Sequence, residues 1–152
     1  MKYPIGIQTF EEIRKGGYCY VDKTRQVYQL AQSSKYYFLS RPRRFGKSLL
    51  LSTLEAYFLG KKELFEGLAM EHLETEWKQY PVLRLDLNAR NYEDEDSLRA
   101  ELNKHLSGWE ERYRLETDCA LAPEERFFHV IQRVSEQTGK QVVILVDEYD
   151  KP

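Results

Sequence analysis

Arg41-Pro42-Arg43-Arg44-Phe45-Gly46-Lys47-Ser48 is the stretch on which the reading of this 152-residue chain turns. It matches the pattern G-x-x-x-x-G-K-[ST] at every fixed position except the first, where Arg41 stands for glycine. Each matched residue type answers a chemical need. Gly46 lets backbone approach a phosphate chain, and the N–H groups of the loop and of the first helical turn point at the anion. Lys47 has the reach and charge for β and γ phosphates, Ser48 supplies a hydroxyl for Mg2+, and Leu49 completes the first turn. Arg43 and Arg44 add positive charge beside the same segment.

A bare Gly-Lys-Ser/Thr triplet arises by chance in a chain of this size with a probability on the order of a tenth. Context adds weight. Lys35-Tyr36-Tyr37-Phe38-Leu39-Ser40 reads as an aromatic-rich strand before the loop, and Ser48 to Leu59 as a helix apolar nearly all round, stopped by Gly60. Strand, loop and helix in this order are what the motif requires. The competing reading is a basic turn, or a nucleic-acid patch made of Arg41, Arg43, Arg44 and Lys47. Pro42 also pushes Arg41 toward extended backbone, which bears on the loop's shape.

A second signal closes the chain. Val142 to Val146 is an unbroken aliphatic run, the pattern of a strand buried on both faces, and Asp147-Glu148 follows it directly. Carboxylates at the C-terminal edge of a strand face the crevice where parallel α/β sheets bind ligands. In nucleotide hydrolysis the Asp holds Mg2+ and the Glu orients or deprotonates the attacking water. The simpler alternative is acidic residues capping a strand as it meets solvent.

Between and before these signals the chain alternates strands and helices. Tyr18 to Val21 reads as a short strand and Thr24, as N-cap, begins a helix to about Gln32. Val82 to Leu87 alternates with period two. Leu98, Leu102, Leu106, Trp109 and Tyr113 form the stripe of an amphipathic helix with the acidic start Glu93 to Asp96. Pro123 opens another helix, with Phe127, Phe128, Ile131 and Val134 as its apolar face and Gly139 as its stop. The implied architecture is α/β with a mostly parallel, doubly covered sheet.

Composition bounds the rest. With 23 Lys+Arg against 25 Asp+Glu the net charge is −2, and 41% of residues are hydrophobic. A soluble globular domain with a core that needs no disulfide follows. No basic half supports general nucleic-acid binding, and no apolar run approaches the roughly 20 residues of a membrane span. The N-terminus lacks the features of a signal peptide, which places the chain in the cytoplasm, where Cys19 and Cys119 stay thiols.

The chain resembles the bacterial AAA-ATPase-like family, a branch of the P-loop ATPases with an additional strand and a catalytic glutamate. The resemblance rests on Ile5 to Arg14, Tyr20-Val21-Asp22-Lys23-Thr24, Arg41 to Leu51 and Val146-Asp147-Glu148-Tyr149-Asp150-Lys151-Pro152, and runs end to end. In that family the arginine-rich loop is the normal form, so Arg41 is a family trait. The resemblance implies a P-loop three-layer sandwich, with residues 1–34 as a lead-in and 35–152 as the core through the Asp-Glu strand, cut short after it. It implies ATP and Mg2+ as cofactors: Arg41 to Leu49 cradle the nucleotide, Ser48 and Asp147 hold the metal, and Lys47 and Glu148 carry catalysis.

Longer members resemble a fusion to a C-terminal nuclease-like domain. On this reading the strand carrying a polar sensor residue, the lid and any arginine finger lie beyond Pro152, and hydrolysis drives a change in a protein partner or in that domain. A nucleotide-sensing interaction module with little hydrolysis is the alternative. A small-molecule kinase shares the loop but usually lacks a Glu after the Mg2+ Asp, so Glu148 argues against it.

Other residues point elsewhere only weakly. His72, His105 and His129 fall in separate helices without metal-ligand spacing, and no Ser/His/Asp or Cys/His arrangement is recognisable. Tyr18, Tyr20, Tyr36 and Tyr37 read as core aromatics. The segment Tyr20 to Lys23, placed by the resemblance just before the loop, is where a nucleotide base could lie.

Overall fold

A computed structural model describes residues 2–7, 9–33, 47–86, 95–116 and 121–147. The chain divides into two units, Met1–Gln79 and Tyr80–Pro152.

The first unit is built from short helices: α1 (Phe10–Lys15), α2 (Thr24–Ser33), α3 (Lys47–Phe58) and α4 (Ala69–Leu73), with a 3-10 turn at Lys62–Phe65. The expected strand at Tyr18 to Val21 does not form. Tyr18 makes a single parallel bridge to Lys2, and Val21 is 72% exposed. A β-favouring run without a partner strand gains no ladder, so propensity alone does not make it one. The helix from Thr24 is present, but Thr24 is its first residue and the capping group is Asp22, whose Oδ1 accepts from the Thr24 N–H at 2.9 Å and from its hydroxyl at 2.6 Å.

Helix α3 carries Ser52, Thr53, Leu54, Ala56 and Tyr57 into the interior, as its nearly all-round apolar sequence requires. It ends where expected. Gly60 sits at φ +72°, its N–H donates to Tyr57 O at 3.0 Å, and Lys61 N–H reaches Ala56 O at 3.1 Å, the double hydrogen bond of a glycine-terminated helix. Phe10 and Phe65 are fully buried with ring centroids 4.9 Å apart.

The second unit contains β1 (Val82–Asp86), α5 (Glu95–Arg112), α6 (Pro123–Thr138) and β2 (Val143–Asp147). The strands pair in parallel, Val82 with Val143 through Asp86 with Asp147. Leu83 and Leu85 pack against Leu106 and Trp109 of α5 and Val130 and Val134 of α6. Residues in register share a face, so Val82 and Leu145, also buried, lie on the opposite side of the sheet from Leu83. Burial on both faces therefore holds for Leu145, but Ile144 is 37% exposed.

The α5 stripe turns Leu106 and Trp109 inward with Leu102 and Tyr113 packed beside them, while Leu98 stays partly exposed. In α6, Pro123 takes the first turn and Gly139 the left-handed C-terminal position, as the sequence implies. Its inner face differs. Phe128 is 67% exposed, and the stripe runs Pro123, Arg126, Val130, Val134, with Phe127 and Ile131 flanking it. Position 128 lies about 160° around the helix from 130 at 100° per residue, which explains why a phenylalanine there faces solvent.

The described residues are thus mixed helix and strand with two parallel strands. Among them no helix is long and apolar enough to cross a membrane. The expected strand Lys35 to Ser40 lies outside the described residues, as do Glu93, Asp94 and Cys119.

Candidate functional site

Of the phosphate-binding segment, Arg41, Pro42, Arg43, Arg44, Phe45 and Gly46 lie outside the described residues, and so does Glu148. The structure places Lys47 and Ser48 as the first two residues of α3, with Leu49 half-buried behind them. The opening N–H groups of a helix lack intrahelical acceptors and carry the positive end of its dipole. In the second unit Asp147 is the last residue of β2, at the C-terminal end of a parallel pair. Asp86, the last residue of β1, stands in register beside it. The period-two pattern marked Asp86 only as a strand residue; pairing register is what sets two aspartates on neighbouring strand ends.

The first turn of α3 is tied down by hydroxyls. Ser52 Oγ–H donates to Leu49 O at 2.9 Å and Thr53 Oγ1–H donates to the same carbonyl at 2.7 Å. Ser52 Oγ also accepts the Phe10 backbone N–H at 2.9 Å. Thr9 makes no side-chain capping bond to α1, so a serine 42 residues away satisfies that helix's first N–H instead. Burial pushes the Tyr20 phenol above its ordinary value of 10.0. Its ring meets Phe10 edge-on at 5.2 Å.

The Tyr20 to Lys23 segment is therefore structural where its contacts are described. Burial raises the Asp22 carboxyl, but bonds from the Thr24 hydroxyl and N–H and the Ala69 N–H outweigh it and hold the group below its ordinary 3.8. Asp22 Oδ2 accepts Ala69 N–H at 2.8 Å, and Thr24 Oγ1 accepts Met70 N–H at 3.1 Å, so one short motif serves the starts of both α2 and α4. Arg14 adds a further tie, its Nε donating to Leu64 O at 2.8 Å.

Two other polar features are not among the sequence-derived candidates. Tyr57 donates its hydroxyl to Glu74 and accepts from Gln32 Nε2 at 3.1 Å; burial and then Glu74 raise its phenol strongly. Burial would raise Glu74, yet bonds from Tyr57 and from the N–H groups of Thr75, Glu76 and Trp77 keep it below 4.5. In the second unit a cavity of about 510 Å3 lies beside Glu110, Arg114, Arg126, His129 and Arg133. None of the residues singled out for phosphate or Mg2+ lines it. Among the described residues no group of three metal-ligating side chains occurs, and His105 pairs with Glu101 at 3.4 Å.

Comparison with known proteins adds a separate line. A family model described as predicted AAA-ATPase matches residues 4–152. An uncharacterized protein in the vnfD 5' region of Azotobacter chroococcum mcd 1 is 44% identical over 154 residues, an alignment that takes in 99% of this chain. The chain spans 29% of that relative's length. No solved structure matches.

Proposed function

The chain belongs to the predicted AAA-ATPase family, and from that premise we propose that it is a P-loop nucleotide-binding module whose whole protein hydrolyses ATP with Mg2+. The observation that carries the reading is the position of Lys47 and Ser48 in the opening turn of a helix, where N–H groups that lack intrahelical acceptors and the dipole favour a phosphate. The position of Asp147 at the end of a parallel strand supports it. The fold proposed for the whole is the three-layer sandwich of that class.

In this reading Lys47 and the loop N–H groups, with Arg41 to Gly46, neutralise the β and γ phosphates. Ser48 and Asp147 would hold Mg2+, which when bound neutralises phosphate charge and fixes the phosphate chain. A hydroxyl and a carboxylate are oxygen donors of the kind that suit a hard cation. Glu148 takes a proton from the attacking water or orients it. Turnover drives a conformational change in a protein partner or in a domain outside this chain.

Lys47→Ala is expected to abolish binding of ATP by the protein. Glu148→Gln in the full-length protein is expected to keep binding and stop multiple-turnover phosphate release. Unchanged turnover in both variants overturns the proposal. Wild-type protein that binds ATP without releasing phosphate would make it a nucleotide-sensing module instead.

A further inference from the structure

A hydrogen-bond relay runs from the N-terminal lead-in to one carbonyl of α3: Phe10 N–H donates to Ser52 Oγ, and Ser52 Oγ–H donates to Leu49 O. Beside it, the Thr53 hydroxyl donates to the same Leu49 O. Leu49 follows Ser48 directly, so both hydroxyls bond the opening turn whose N–H groups face the phosphate in the proposed function.

A hydroxyl bonded to a carbonyl three or four residues back bends or fixes the local turn of a helix. One such bond is common, but here two meet on a single oxygen, and Ser52 is anchored outside α3 by the Phe10 N–H. Phe10 is fully buried, Thr53 is 1% exposed and Ser52 is 6% exposed, which limits competition from water.

We infer that Ser52 and Thr53 are positioning residues for nucleotide binding, acting through Leu49 O to hold the first turn of α3 in the orientation set by the lead-in. They touch no nucleotide. Their effect is to preorganise the donors of Lys47, Ser48 and Leu49, so that binding does not have to order that turn. This inference rests on the phosphate-binding role of α3.

The test is titration of the protein with a fluorescent ATP analogue, at a temperature where circular dichroism shows every variant fully folded. Under that condition a merely structural role moves the unfolding midpoint and leaves affinity alone. Ser52→Ala and Thr53→Val are each expected to weaken binding about tenfold, as a change of one hydrogen bond's worth implies. Thr53→Ser, which keeps the hydroxyl, is expected to restore wild-type affinity.

Wild-type affinity in Thr53→Val overturns the inference, and this near-isosteric change keeps it testable if Ser52→Ala does not fold. Lys47→Ala separates the two levels. If it loses binding while the relay variants do not, the relay fails and the phosphate-binding role stands. If it binds like wild type, that role fails and the relay falls with it.

Discussion

The two units are held by different means. In Met1–Gln79 the helices are short, and side-chain to backbone bonds spanning 42 to 52 residues of sequence join them: Phe10 to Ser52, Asp22 to Ala69, Thr24 to Met70, Arg14 to Leu64 and Glu66. Among the described residues of Tyr80–Pro152, two long helices and two strands surround an apolar cluster, with the buried charge pair Arg126 and Glu110 in the same unit. Short helices leave a large share of their backbone groups at unpaired ends, so polar side-chain bonds fix those ends around the buried Phe10, Phe65 and Met70. Long amphipathic helices leave that task to the stripe.

The sharpest way to break this contrast is to attack the charge pair of the second unit. Glu110→Ala strands the Arg126 guanidinium, which is 7% exposed, and is expected to cost about 3–5 kcal/mol in urea unfolding. Replacing both, Glu110→Leu with Arg126→Met, is expected to return stability to wild type or above. A double variant as unstable as the single one would mean that the second unit also depends on polar specification.

In the first unit Thr24→Val keeps shape and leaves the Met70 N–H buried without its acceptor, an expected loss of about 1–3 kcal/mol. A neutral result would remove the stitching from the account. Acid probes the same bonds. Asp22 and Glu74 have folded-state pKa values below their unfolded ones, so their contributions are complete above the ordinary carboxylate values of 3.8 and 4.5 and vanish as pH falls through the lowered ones. Amide exchange below pH 4 should therefore accelerate in α2 and α4 before it does in α5 and α6.

Two smaller effects test the second unit's helix ends and surface. Arg114 occupies the left-handed position after α5 at φ +55°, where Leu115 N–H bonds to Glu110 O at 2.8 Å. Arg114→Gly is expected to raise the thermal midpoint, by about 1 kcal/mol of relieved strain. Phe128→Ser is expected to change stability by no more than about 0.5 kcal/mol. A large loss there would restore Phe128 to the core.

Periodicity made the second unit legible. The Leu102, Leu106 and Trp109 spacing and Pro123 and Gly139 as boundaries each have one local reading that the structure follows, and the run Val142 to Val146 becomes the strand Val143–Asp147, with Ile144 partly exposed. Where it departs, at Phe128, the fault lay in grouping adjacent phenylalanines although only one can point inward. The first unit was legible only at α2 and α3. Lys62 to Leu73 shows no period, yet supplies Leu64, Phe65, Leu68 and Met70 to the interior, because a 3-10 turn and a five-residue helix are too short to leave one. Lys47 and Ser48 stand where the motif put them, at a helix start. The roles of Ser52 and Asp22 depend on partners 42 and 47 residues away, beyond any local pattern.

The parallel pairing of Val82 with Val143 has a consequence for how the chain folds. The partners stand about 60 residues apart, and parallel strands joined across such a span close a costly loop before any ladder bond forms. Helices α5 and α6 lie wholly within that loop and bring the strands together, so their docking precedes the sheet. Mutations at Leu106 or Val134 should therefore slow refolding, whereas changes in β2 should mainly speed unfolding. During synthesis β1, Val82 to Asp86, emerges first and waits for two helices and β2 before it finds its neighbour. Arg84 within β1 and Asp86 at its end are charges of the kind that discourage aggregation during that wait.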